Sequence, residues 1–344
     1  MQINTKKLIQ KIIKLLLPLL FGIGIFWMLM SKVDFRAVKE IISEGISWMW
    51  VVISLTIGLF SHIVRGVRWR YQIRTLGADP SVHDMTVSVF GNYGLNLVFP
   101  RIGEVWRCNY IASNYNLSFS KTLGTMISER FADMLCSAIL VLIALIFENH
   151  VFFALIAENG GIGGGLIDLI TSPFFYLSIV LLVLIVWFIL KNYSENRIVC
   201  LVKEICRNVW TGFLSIWTMP SKGMFIFYTF LLWTLYFLNS YTGLYFFDFT
   251  SGFTPIEGLM IFILGSISLI LPVQGGLGAW HAMTMFALGC YGIGENEAFA
   301  FVTVHWCIQE GFVLLLGIYA LVVVALQKRE GKIKQKYGKS LETI

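Results

Sequence analysis

The sequence predicts an all-α polytopic membrane protein, with six spans plus two re-entrant hairpins arranged as an inverted repeat. Three observations lead there. Of the 344 residues 57% are apolar and only 13% charged, against roughly 25% charged in ordinary soluble domains, and the mean hydropathy is +0.75. Apolar runs of membrane-spanning length recur from one end of the chain to the other. Two further apolar stretches are broken half a chain apart, around Pro100 and Pro272, each followed at the third position by a glycine, Gly103 and Gly275. Proline removes a helix donor and clashes with the preceding turn, so a helix breaks there and restarts with an exposed N-terminus. Pro220 and Gly223 repeat the spacing in a polar loop. The flanking apolar runs and the half-chain offset therefore carry the inference, and paired broken helices in two halves are the pattern of a transporter binding site.

The spans are placed at 12–30, 48–63, 123–147, 174–190, 225–247 and 298–326. The first follows four lysines and lacks a small-residue cleavage site, and so reads as an uncleaved signal anchor. Regions 83–118 and 256–290 are apolar but interrupted by Gly, Asn and the two prolines, which suits hairpins. Eight full crossings are the alternative. A single integral membrane domain is expected over 1–344, with pseudo-repeat halves of roughly 1–160 and 161–327 and a basic tail at 328–344.

The formal charge of +6 is explained by where the basic residues sit. With both termini in the cytoplasm, 20 Lys and Arg fall on inner segments and three in the outer loop 31–47, leaving Arg101, Arg107 and Arg130 at membrane depth. The outer loop 148–173, with its glycine run at 160–165, holds no Lys or Arg. The positive-inside rule favours this orientation, in a cell membrane, and nucleic-acid binding is not needed to account for the charge. Eight crossings fit the same count. In the hairpin reading each half is span, span, hairpin, span, and the hairpin tips approach from opposite faces.

Arg101, Glu104 and Arg107 follow at i, i+3 spacing after Pro100, and Glu129, Arg130 and Asp133 lie in the next span. At roughly 2.5–3.5 kcal/mol per charge, six isolated charges would cost on the order of 15–20 kcal/mol, so they pair or line a wet cavity. Their charges sum to zero, which also suits a self-compensating network with a purely folding role. Among them Arg101 and Arg107 are the better substrate ligands, because a guanidinium fork matches a phosphate, with Glu104 holding them when the site is empty. Gly275, Gly276 and Gly278 allow close backbone approach, either for an anion at a restarted helix or for tight packing. His305, Gln309 and Glu310 share the last span and, with His281, are possible coupling residues, or else interhelical hydrogen-bonding groups. Arg65, Arg68, Arg70 and Arg74 flank Trp69 after the second span and read as headgroup anchors. Six cysteines form no Cys-x-x-Cys pair and five histidines are scattered singly, so no metal site and no cofactor are expected.

In four stretches the chain resembles the lysylphosphatidylglycerol synthase transmembrane-domain family of flippase-like membrane proteins. These are the basic segment from Arg65 to Gly77, Pro-Arg-Ile-Gly-Glu-Val-Trp-Arg from Pro100, Glu129-Arg-Phe-Ala-Asp, and Pro272-Val-Gln-Gly-Gly-Leu-Gly. The resemblance implies a lipid-handling membrane domain that moves lipids or lipid-linked molecules between leaflets. Its expected partners are the bilayer and an anionic phospholipid or lipid-linked substrate. Members that make lysylphosphatidylglycerol carry a soluble aminoacyl-transferase domain after the membrane part, and only a short basic tail follows Leu326. Lysyl transfer by this chain is therefore not expected. An acidic residue is usual shortly after the Gly-Gly-Leu-Gly, where this chain has His281. The rival functions are a lipid-headgroup transferase component, for which Glu129 and Asp133 are the close carboxylate pair, and a small-solute transporter.

Overall fold

The computed structural model describes residues 20, 23–31, 33–99, 101–148, 197–268, 271 and 273–341. The span at 174–190, the glycine run at 160–165, most of the span at 12–30, Pro100 and Pro272 lie outside the described residues. Within them every regular element is helical and none is a strand. Four helices are long and apolar enough to cross a membrane, over Trp48–Arg74, Phe119–Phe147, Lys222–Phe246 and Glu295–Gln327. The chain is a multi-pass membrane protein.

The first described helix, α1 (Phe35–Glu44), is short and amphipathic and lies within the expected outer loop. Its Asp34 cap accepts from the Arg36 amide at 2.8 Å, and Val38 and Ile41 pack with Phe299 and Ala300. Helix α2 (Trp48–Arg74) runs eleven residues past the expected end at Ile63. It is α-helical through all four arginines, because two of them point inward and find partners there. Its exposed side carries Trp48, Met49, Val52 and Phe60, whereas its buried residues include Ser54, Gly58, Ser61, Arg65, Arg68 and Gln72. Those six recur at alternating steps of four and three and so form one seam along the helix. Apolar residues face outward and polar ones inward, as suits a helix with lipid on one side and a polar interior on the other.

The first interrupted region is two helices, α3 (Val82–Val98) and α4 (Ile102–Asn114), of 17 and 13 residues. The Ser81 side chain caps α3 by accepting from the Asp84 amide at 3.0 Å. Helix α4 starts at Arg101, which takes the left-handed conformation (φ 63°) that turns the chain back. Both helices are shorter than the roughly 20 residues of a span. Tyr110, late in α4, and Tyr115, just after it, both donate to the Asp84 carboxylate at the start of α3. The pair therefore begins and ends at one end of the bundle. Helix α5 (Phe119–Phe147) follows, and α6 (Arg197–Phe213) packs on it, with the short α7 (Ser215–Thr218) beyond.

Helix α8 (Lys222–Gly243) tightens into a 3₁₀ turn over Leu244–Phe246. The second interrupted region is α9 (Pro255–Ser268) and α10 (Ala279–Cys290), 14 and 12 residues long, with a 3₁₀ turn at Gln274–Gly276 between them. Proline at the first position and a Thr254–Glu257 capping box start α9, the Glu257 carboxylate accepting from the Thr254 amide at 2.7 Å. The rings of Phe253, just before α9, and Tyr291, just after α10, meet at a tilt with centroids 5.7 Å apart. This pair too begins and ends at one end, where Tyr291 donates to Glu148 and the Ser47 amide to the Phe246 carbonyl. Helix α11 (Glu295–Leu341) runs from there to the opposite end, where Gln327 donates to Asp84 at 3.0 Å. The two broken pairs enter from opposite ends. A Cβ on Gly275 would lie 3.1 Å from Leu97, so the break of the second pair packs against the last turn of α3.

Candidate functional site

Helices α2, α4 and α5 bring their charges to one place. Glu129, fully buried, accepts from Arg65 Nε at 3.3 Å, from Arg68 Nη2 at 2.8 Å and from Arg107 Nη2. Arg68 also donates to Asp133, one turn along α5, at 2.7 Å. Asp133 is 16% exposed and Arg130, its looser partner at 3.9 Å, is 40% exposed. Arg65, Arg68 and Arg107 are 4%, 0% and 0% exposed, so three buried guanidiniums surround one buried carboxylate. Even with Asp133 counted, these residues carry a surplus of positive charge.

Aromatic and hydroxyl groups hold the arginines in place. The Arg107 guanidinium lies 4.1 Å over the Trp69 ring, whose Nε1 donates to Thr125 Oγ1 at 3.0 Å. Arg65 donates to the Tyr93 hydroxyl, which sits 3.3 Å from that of Tyr236. Gln72 donates to Ser128 at 2.9 Å. Yet Arg65 Nη2, Arg68 Nε and both Nε and Nη1 of Arg107 have no partner among the described residues. A buried donor left unsatisfied costs about 1–3 kcal/mol, and more when charged. An anion entering this cluster would satisfy several such donors at once.

The seam of α2 continues from the guanidiniums toward the other end. Ser54 and Asn239 exchange bonds, Oγ to the Asn239 carbonyl at 3.0 Å and Nδ2 to the Ser54 carbonyl at 2.8 Å. Gln309 donates to Ser54 Oγ at 2.9 Å. From Ser54 to Gln72 the seam is about 27 Å long at 1.5 Å per residue. That is close to the hydrocarbon thickness of a bilayer, about 30 Å.

Of the residues expected from sequence, Arg107, Glu129, Arg130 and Asp133 come together. Arg101 is exposed at the N-terminus of α4, about 9 Å along the helix axis from Arg107. Glu104 accepts from Asn96 Nδ2 at 3.3 Å, and Asn96 Oδ1 in turn accepts from the Gly103 amide at 2.8 Å. Glu104 and Asn96 thus brace the turn between α3 and α4, and Arg107 donates to Glu129. The reading of Arg65 and Arg68 as surface anchors is corrected, since both are buried in the cluster. Arg70 and Arg74 do lie at the surface, where Asp79 accepts from them at 3.0 and 2.7 Å and its carboxyl is held below the usual range by the Arg74 bond. Glu129 and Asp133 are a close pair, but guanidiniums occupy both and leave neither posed as a general base.

Gly275, Gly276 and Gly278 all have positive φ, and the Gly275 carbonyl accepts from Trp306 Nε1 at 2.7 Å. The Glu310 carboxyl lies against Gly275, and His281 and His305 are buried among aromatic rings nearby. These residues form a second polar group, separate from the guanidiniums. Among the described residues no cluster of three or more His, Cys, Asp or Glu is arranged to hold a metal.

Residues 15–317 match the family described as the lysylphosphatidylglycerol synthase TM region. Among curated proteins and among solved structures no significant match was found.

Proposed function

The chain belongs to the lysylphosphatidylglycerol synthase TM region family, and from that premise we propose that it translocates a phosphate-bearing lipid, or a lipid-linked molecule, across a cytoplasmic membrane. The observation that carries the reading is the surplus of buried guanidinium charge at Arg65, Arg68 and Arg107, with donors still unpartnered among the described residues. A phosphodiester supplies the missing negative charge and acceptor oxygens in the planar two-pronged geometry that arginine favours. Glu129 holds the cluster together when the site is empty and competes with the phosphate when it is filled, so binding remains reversible. The polar seam of α2 gives the headgroup a route, while the acyl chains stay on the apolar outer faces.

The two broken helix pairs fit re-entrant hairpins of an inverted repeat, with Gly275 to Gly278 as the second wall of the path and the break near Arg101 as the first. Both termini are placed in the cytoplasm, which puts the guanidinium cluster in the inner half of the membrane. Arg101, exposed at the hairpin break, makes the first contact with an incoming anion.

Lipid binding to the purified protein tests this. Thermal stability in detergent is followed while phosphatidylglycerol or a neutral glycolipid of equal chain length is added. The reading expects stabilisation by the anionic lipid, reduced in Arg107→Lys despite the retained charge. Equal stabilisation by both lipids in the wild type would remove phosphate recognition.

A further inference from the structure

Residues 223–327 contain no Lys or Arg, so the imidazoles of His281 and His305 are the side chains of this long apolar stretch that become cationic on taking up a proton. They are 0% and 7% exposed, and all four ring nitrogens lack a partner among the described residues. Buried polar nitrogens left this way destabilise a fold, and a histidine is a needless choice for packing alone.

The two rings belong to one cluster. Trp280 touches both, edge-on to His281 at 5.6 Å and stacked on His305 at 5.3 Å. His281 also lies 5.5 Å from the Trp306 ring, whose Nε1 holds the Gly275 carbonyl at 2.7 Å, with the Glu310 carboxyl against the same glycine. The described residues whose rings or backbone face the two imidazoles are uncharged. Phe26 faces His281 from the segment before α1, and Phe246 faces His305 from the 3₁₀ turn after α8, with Gly243 against its Nε2. Phe301 stacks on His305 from its own helix, and the hydroxyl of Tyr241 on α8 is turned to the Phe253 carbonyl. Gly265 of α9 packs on the Trp280 indole. Glu310 lies beside the Gly275 that Trp306 holds, and the aromatic faces of Trp280 and Phe301 are positioned to receive a cation.

We propose that His281 and His305 form a proton-binding site distinct from the guanidinium cluster, and that its occupancy sets the position of the glycine break at 275–278. A proton taken up from the aqueous phase onto one imidazole creates a cation beside the Trp280 and Trp306 rings. Through Trp306 that charge acts on the Gly275 carbonyl, and through Gly275 on Leu97 of the other hairpin. Proton binding stands on this geometry alone, and the step from proton to lipid movement rests on the proposed function.

Two measurements separate these parts. Tryptophan emission of the protein in zwitterionic nanodiscs, with no substrate, is followed as pH falls from about 8 to about 4. The wild type and Arg107→Lys should show a quenching step that disappears in the double variant His281→Asn with His305→Asn, and Trp280→Phe and Trp306→Phe should each lower its amplitude. The same step in the double variant would overturn the proton site, and gel filtration together with the single histidine variants identifies a misfolded double variant. In vesicles, wild-type lipid movement should change at least about threefold over this range and the double variant should stay flat. A quenching step without any lipid movement at any pH would keep the proton site and reject the transport reading. Lipid movement that is flat with pH in the wild type would overturn the coupling.

Discussion

Glu129 is the residue on which the cluster turns. Three buried guanidiniums converge on it, so its loss strands more charge than the loss of any one arginine. Breaking a buried pair in this way costs about 3–5 kcal/mol, and Glu129→Gln should lower the melting temperature of the detergent-solubilised protein by several degrees at least. Arg70→Gln, which removes a surface partner of Asp79, should stay within about 0.5 kcal/mol of wild type. Comparable losses in the two variants would mean that the guanidinium cluster is not buried. The sequence disclosed half of this site. Arg107, Glu129 and Asp133 stood out as charges in apolar runs, but Arg65 and Arg68 were hidden within a dense basic segment that reads as a membrane boundary. Their burial had a legible signal, the 4-3-4-3-4 spacing of Ser54, Gly58, Ser61, Arg65, Arg68 and Gln72, which carries one helix face past the expected end of the span at Ile63. The Glu104–Asn96 brace had none, because it depends on how tightly the hairpin closes.

At the level of elements, helix contacts rely on close approach as much as on polar bonds. Gly94 of α3 crosses Gly317 of α11, and a Cβ on either would come within 2.6 Å of the other's Cα. In lipid, where helix association depends on packing of this kind, that crossing fixes the first hairpin against the last helix. Gly94→Leu should therefore lower thermal stability and yield, whereas Gly311→Leu, where a Cβ meets open space, should leave both near wild type. Equal tolerance of both would show that α3 does not pack on α11. The breaks in α3–α4 and α9–α10 were legible because proline and glycine act locally on the backbone. Helices α1 and α6 were not expected, as both are short amphipathic segments within stretches assigned to loops, and what stabilises them is contact with α11 and α5.

Across the whole molecule, the contacts sort the described residues into two ends. Asp34, Ser47, Glu148, Phe246, Tyr291 and Asn296 meet at one, and Asp84, Tyr110, Tyr115 and Gln327 at the other. With the first end outside, in a background lacking the native cysteines, Glu44→Cys and Gly292→Cys should react with an impermeant thiol reagent on intact cells and Ala78→Cys should not. The opposite pattern would invert the orientation. The central claim is that a buried guanidinium cluster moves a phosphate-bearing headgroup along the polar seam of α2. It is tested most directly in sealed vesicles carrying the purified protein, by the rate at which a fluorescent anionic phospholipid in the inner leaflet becomes accessible to an impermeant quencher. The account predicts faster exposure of that lipid than of a neutral glycolipid of equal chain length, slowed at least about tenfold by Arg107→Lys and little changed by Arg70→Gln. Equal rates for the two lipids, or a wild-type rate in Arg107→Lys, would contradict it.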